Sequence, residues 1–225
     1  MIASGDAARR EVDHDDGLRC AFVTGMPANN DDLHGSVPEN CAVALLLIDV
    51  INDMEFEGAE ALVEQALPMA HRIAALKENA RKAGIPSIYV NDNFGRWKSD
   101  FRRVVEHVLH DGVRGEEVAR ILRPAEDDYF VLKPKHSAFF ATTLDTLLTY
   151  LGVNTVILTG VAGNICILFS ANDAYMRDFN VIVPSDCVAS NSKEENDYAL
   201  EQIRNVLKAD TTASTELDLK ALLNS

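Results

Sequence analysis

Residues 155–173, TVILTGVAGNICILFSAND, decide how the rest of the chain is read. The segment opens on a short β-branched apolar run, Thr155-Val156-Ile157-Leu158. The run stops at Thr159-Gly160 and bends through the small residues Val161-Ala162-Gly163. From Asn164 onward Ile165, Leu168, Phe169 and Ala171 recur at helical spacing, giving strand, tight turn and helix in succession. Cys166 falls in the first helical turn. There the backbone N–H groups lack partners and the helix dipole is positive, and both favour a thiolate over a thiol. The expectation is a chain built to present Cys166.

Working outward, the same alternation recurs. Ala42–Ile48 is a continuous apolar run of strand length, as in a strand buried on both faces of a parallel sheet, and Asp49 ends it. Leu62, Ala66, Met69, Ile73, Leu76 and Ala80 share one face of a helix over residues 61–83, with Gly84 as its C-cap. Pro86–Val90 forms a second strand that runs into Asn91-Asp92-Asn93-Phe94-Gly95. Residues 96–126 are less regular, with a helix to about His110 and a short one near Glu116–Leu122. Such an insertion suits a pocket cap or a subunit contact.

Tyr129–Leu132 reads as a third strand, closed by Lys133-Pro134-Lys135. Thr142 and Asp145 resemble a capping box ahead of a helix through Leu144, Leu147, Leu148 and Leu151, ended by Gly152. Asn180–Pro184 is the fifth strand, and Ser192 with Glu195 caps a helix to about Lys208. Thr211–Ser214 is a weak sixth strand before a short Leu-rich helix. This order predicts an α/β fold: a single doubly wound, Rossmann-like, three-layer domain with a mostly parallel sheet of about six strands. The domain spans residues 41–225. Residues 1–40, polar, charge-mixed and aperiodic, read as an extension or arm.

Composition narrows the partners. Twenty-one basic against thirty-five acidic side chains give a net charge of −14, which argues against nucleic acid and anionic membrane. No apolar run approaches the ~20 residues of a membrane span. The first residues, MIASGDAARREVDHDD, lack the apolar core of a secretory signal, so a cytoplasmic address is expected. The four cysteines show no CxxC spacing. Cys41 and Cys187, beside apolar strands, read as buried free thiols, and Cys20, in the polar leader, as exposed. Only Cys166 has a position that would alter its chemistry.

In open parallel sheets ligands bind beyond the carboxyl ends of the strands. Asp49, Lys133 and Cys166 all occupy such ends. Singly, each has an ordinary explanation: a turn-capping carboxylate, a solvated lysine, a packed thiol. Together they supply a proton acceptor, an electrostatic stabiliser and a nucleophile.

Three motifs add a resemblance. Leu47-Ile48-Asp49-Val50, then Lys133-Pro134-Lys135-His136-Ser137-Ala138-Phe139, then Gly160-Val161-Ala162-Gly163-Asn164-Ile165-Cys166 stand in the order and at the separations of the isochorismatase-like cysteine hydrolases, the relatives of nicotinamidase and N-carbamoylsarcosine amidohydrolase. Ala171-Asn172-Asp173-Ala174 and Pro184–Ser190 also look like that family, so the resemblance covers roughly residues 42–215. It implies a catalytic triad of Asp49, Lys133 and Cys166, with Lys135 the competitor for the lysine. It implies amide hydrolysis through a thioester, an oxyanion held by backbone N–H groups of Ala162 and Cys166, and a cis peptide between Val161 and Ala162. It also implies a homo-oligomer, dimer or tetramer.

Departures from the family pattern shape the substrate expectation. Family members acting on nicotinamide carry Asp-x-His at a metal site after the second strand. Asp92-Asn93-Phe94 has Phe at the His position, so neither metal nor cofactor is expected. Cys166 favours C–N bond cleavage over hydrolysis of the isochorismate vinyl ether, whose catalysts often lack the cysteine. Ile51 and Met54 replace the usual Gln and Phe. Asn93, Phe94, Trp97, His136, Phe139 and Val161 are expected to line the substrate pocket. For Trp97 packing or a subunit contact is an equal reading, and for His136 a surface or supporting role ranks ahead of catalysis. The reading is therefore a cysteine amidohydrolase acting on a small amide, ureido or carbamoyl molecule. The alternatives are a vinyl-ether hydrolase and a noncatalytic small-ligand binder.

Overall fold

The computed structural model describes residues 40–93 and 100–224. The segment expected to be an arm falls outside them apart from Asn40, as do Cys20, Phe94 and Trp97. Six strands form one sheet: β1 (Val43–Ile48), β2 (Ser87–Asp92), β3 (Tyr129–Lys133), β4 (Thr155–Val161), β5 (Asn180–Ile182) and β6 (Val188–Ala189). The order is β3-β2-β1-β4-β5, with β6 also on β4, and every pairing is parallel. The strands are linked by helices α1 (Ala59–Lys82), α2 (Phe101–His110), α3 (Glu116–Ile121), α4 (Leu144–Leu151), α5 (Leu168–Tyr175) and α6 (Lys193–Asn205), and α7 (Leu219–Leu223) closes the chain.

The three layers follow from β1. Val43, Leu45 and Leu47 pack with residues of α1, α2 and α3, whereas Ala44, Leu46 and Ile48 pack with residues of α4, α5 and α6. Side chains alternate across a strand, so only an unbroken apolar run can fill both faces. Helix ends follow local chemistry. Ser192 Oγ accepts the Glu195 N–H at 3.2 Å to start α6, and Gly152, at φ 73°, ends α4 in the left-handed region.

Four expectations are corrected. Thr211–Ser214 is not a strand; only Asp210 bridges Ile182 there. The sixth strand is instead β6, two residues that owe their pairing to β4 rather than to any pattern of their own. Asp145 does not complete a capping box; Thr142 Oγ1 takes the Leu144 N–H at 3.2 Å and donates to Ala138 O at 2.7 Å. Cys41 is buried as expected but disulfide-bonded, not free. Cys187 and Cys166 are the free thiols among the described residues. Finally, Gly163–Ile167 forms a wide π-helical turn ahead of α5, and Cys166 lies in that turn rather than in an α-helix.

Candidate active site

Register aligns the strand ends. Ile48 lies opposite Gly160 and Val90, and Asp92 opposite Lys133, so the ends of β3, β2, β1 and β4 meet along one edge of the sheet. Asp49 leaves β1 at φ 53°, a left-handed conformation that Asp tolerates better than most residues. Its carboxylate is held in two directions. Oδ1 accepts the Asp92 N–H at 2.7 Å, and Oδ2 lies 2.8 Å from Lys133 Nζ.

Lys133 is wholly buried. Its ammonium donates to Lys135 O at 3.1 Å, stands 3.6 Å from Cys166 Sγ and reaches Asp92 Oδ2 at 3.8 Å. The Cys166 thiol and the Asp49 carboxylate are close enough for each to shift the other's proton affinity. Lys135, the competing lysine, is exposed and contributes its carbonyl to this arrangement.

Burial pushes the Asp49 carboxyl up from its ordinary range, against the pull of Lys133. Burial also opposes the charge on Lys133, but Asp49 first and then Cys166 and Asp92 hold it above the ordinary lysine value. The Cys166 thiol is pushed up to about 12, by burial and then by the Asp49 charge, with Lys133 working in the opposite direction. The pull toward thiolate expected from the start of the helix is therefore opposed in the folded site. Desolvation and a neighbouring carboxylate outweigh the turn's N–H groups. A carboxylate raised by burial is a stronger base, closer in proton affinity to the sulfur it faces.

The turn carrying Cys166 is fixed from several sides. The Val161–Ala162 peptide is cis, and Ala162 O accepts N–H groups of Ile165 and Ile167, each at 3.1 Å. Ser190 Oγ accepts the Asn164 N–H at 3.2 Å and donates to Asn196 Oδ1 at 3.0 Å. Ser170 Oγ donates to Cys166 O at 2.6 Å and accepts the Ala138 N–H at 2.9 Å, tying this turn to the loop after Lys133. In that loop Ser137 bonds Asp173, and Asp173 Oδ1 accepts Arg177 Nη1 at 3.0 Å. Gly160, at φ 118°, passes so close to β1 that a Cβ there would lie 2.0 Å from Ile48 O.

The other expected pocket residues divide. Asn93 is buried at the end of β2, and its N–H donates to Lys133 O at 3.0 Å. Val161 is buried among the core residues on the α1 side. Phe139 is corrected as a pocket residue: 3% exposed, it packs into the core against Phe179 at 5.9 Å and under Arg177. A phenyl ring flanked by Ala138 and Thr142 on an inward turn gains more from burial than from the rim. His136 stands closer to the chemistry than expected, exposed and with Nδ1 4.0 Å from Sγ. Asp92 is the group that sequence reasoning passed over, weighed only as part of an interrupted metal motif. The signal was its place at the end of the strand paired to both β1 and β3.

A family model described as the isochorismatase domain matches residues 43–216. The chain belongs to the isochorismatase family. It is 44% identical over 174 residues to an uncharacterized isochorismatase family protein of Bacillus subtilis (strain 168), covering 77% of this chain and 95% of that relative. It is 33% identical over 173 residues to a probable inactive nicotinamidase of Arabidopsis thaliana, covering 72% and 88%. Among solved structures, the N-carbamoylsarcosine amidase from Thermoplasma acidophilum superposes with a TM-score of 0.61 at 28% identity, covering 78% of this chain and 98% of that one. The isochorismatase-family hydrolase thus carries the α/β fold of its relatives. Among the described residues no helix is long and apolar enough to cross a membrane.

Proposed function

We propose that this hydrolase cleaves a carbon–nitrogen bond of a small amide, ureido or carbamoyl compound through a thioester on Cys166. One observation carries the reading: Lys133 Nζ stands 2.8 Å from Asp49 and 3.6 Å from Cys166 Sγ, so a buried base and cation meet a half-buried nucleophile at one point. In this reading Asp49 takes the thiol proton as sulfur attacks the carbonyl, and Lys133 offsets the negative charge left on sulfur. The N–H groups of Ala162 and Cys166 are assigned to the developing oxyanion. With the thiol pushed up by burial and by the Asp49 charge, this reading has the proton move during attack.

The test is ammonia release over a panel holding N-carbamoylsarcosine, nicotinamide and other small amides and ureas, beside isochorismate. Turnover of a C–N substrate that disappears in Cys166→Ala supports the proposal. Isochorismate turnover indifferent to Cys166→Ala but lost in Asp49→Asn would replace it with ether hydrolysis. A second reading, a noncatalytic ligand pocket, is favoured by the thiol pushed up to about 12 and by likeness to a relative named as probably inactive. Tight binding of a panel member with no product would support that instead. Phe169 and Tyr175 lie exposed on α5 and Met176 just past its end, and with them we assign the chain to a dimer or tetramer, read by sedimentation.

A further inference from the structure

Ser170 stands between the two halves of the site. Its side chain is completely buried near the start of α5 and makes two hydrogen bonds. Oγ donates to Cys166 O at 2.6 Å, the bond to the fourth residue back that serine often makes inside a helix. The same oxygen accepts the Ala138 N–H at 2.9 Å, and this second bond leaves the helix for the loop after β3. Ala138 is fixed from its other side too, its carbonyl accepting Thr142 Oγ1 at 2.7 Å. One turn further along α5, Asp173 bonds Ser137, so one face of the helix grips two consecutive residues of the loop.

Three residues before Ala138, the carbonyl of Lys135 receives the Lys133 ammonium at 3.1 Å, and that ammonium lies 3.6 Å from Cys166 Sγ. The contacts close a ring: Cys166 carbonyl, Ser170, Ala138, Lys135 carbonyl, Lys133 ammonium, Cys166 sulfur. We propose that Ser170 is a positioning residue that, through this loop, sets the separation between the Lys133 ammonium and the Cys166 sulfur. For its part in catalysis the proposal rests on the amidohydrolase reading. Without the hydroxyl, the buried Ala138 N–H loses its acceptor, and the loop must shift to find another. Lys135 O shifts with it. The ammonium is then left to Asp49 at 2.8 Å and Asp92 at 3.8 Å, and its hold on the sulfur slackens. Three ionisable groups face that sulfur: Asp49 beyond β1, Lys133 at the end of β3 and His136 in the loop. Lys133 pulls the thiol down and Asp49 pushes it up. Moving the ammonium out to about 5 Å would lower the thiolate population roughly 10-fold.

Alkylation of Cys166 by iodoacetamide between about pH 8 and pH 10, located by peptide mapping, reads the sulfur without calling on turnover. In Ser170→Ala the rate is expected to fall about 10-fold across that range, the whole profile displaced toward higher pH. Thr142→Val frees Ala138 O without touching the Cys166 turn and is expected to slow alkylation about 3-fold. It decides the matter if Ser170→Ala does not fold. With the ammonium removed, in Lys133→Met combined with Asp49→Leu, adding Ser170→Ala is expected to change the rate less than about 2-fold. A loss in that background equal to the loss in the unchanged protein would overturn the proposal, because a packing role, or one carried by His136, would persist there. An unchanged or faster rate in both Ser170→Ala and Thr142→Val would overturn it as well. Turnover absent on every amide and urea tested would sink the amidohydrolase reading, whereas the alkylation rates judge the role of Ser170 by themselves.

Discussion

Lys133 Nζ and Asp49 Oδ2 meet at 2.8 Å with neither side chain more than 6% exposed. Two charges taken so far out of water depend on each other. Burial first, and then these two charges pulling in opposite directions, bear on the sulfur beside them.

Removing one partner is expected to be costly. Lys133→Met leaves the Asp49 carboxylate buried without its cation, and breaking a buried pair in this way typically costs about 3–5 kcal/mol. Urea unfolding measures the loss, and Lys133→Met combined with Asp49→Leu should recover a good part of it. A loss below about 1 kcal/mol, the scale of an exposed pair, would contradict the burial argument.

Asp49→Asn separates base from brake. The Asp49 charge raises the thiol and the Lys133 charge lowers it, so removing only the carboxylate lets Lys133 dominate. Alkylation of Cys166 by iodoacetamide at pH 7 should accelerate in this variant, while turnover on whichever substrate is found falls at least about 100-fold. Slower alkylation in Asp49→Asn would reverse the assigned sign.

The unchanged protein should be a poor thiol reagent at neutral pH. With Cys166 pushed up to about 12, its thiolate fraction rises with each pH step through the range where an ordinary cysteine levels off. The alkylation rate is therefore expected to climb without a plateau from pH 7 to pH 10. Peptide mapping assigns the label, because Cys187 is also free and also pushed up to about 12, mainly by burial. A plateau by pH 8.5 at Cys166 would show a thiolate already formed.

Gly160 is a backbone position with little freedom. Its φ of 118° disfavours any L side chain, and a Cβ would stand 2.0 Å from Ile48 O in the neighbouring strand. Gly160→Ala should cost more than about 2 kcal/mol and lower Tm. Gly112→Ala, at φ 70° but with nothing within 4 Å of the added Cβ, gives the comparison for conformational strain alone. Equal losses at the two positions would remove the argument from strand contact.

Much of this was legible in the residues. Ala42–Ile48 announced a strand buried on two faces because both faces had to be apolar, and β1 is that strand. Asp49, Lys133 and Cys166 stood out because each follows a strand and parallel strands end on one side. What misled was local inference about nonlocal quantities. Phe139 looked available because it adjoins the lysine loop, yet its ring turns into the core against Phe179. β6 has too few residues to carry a pattern, and its pairing exists only because β4 lies beside it. Cys41 gave no sign of a disulfide, since nothing in the spacing of cysteines marks which sulfurs meet.

Sequence by itself determined the order of elements, the class of fold, and which three polar residues would stand at strand ends. Period, length and turn chemistry are local properties, and a parallel sheet converts them into a shared edge without further information. Tertiary structure decided the protonation of that edge. Whether Cys166 rests as thiol or thiolate depends on how much water reaches it and on its nearness to Asp49 and Lys133, which stand at the ends of two other strands. It also brought His136, which the sequence ranked as a surface group, to within 4.0 Å of the sulfur. Solvation and through-space charge are properties of the packed molecule, and no local stretch encodes them.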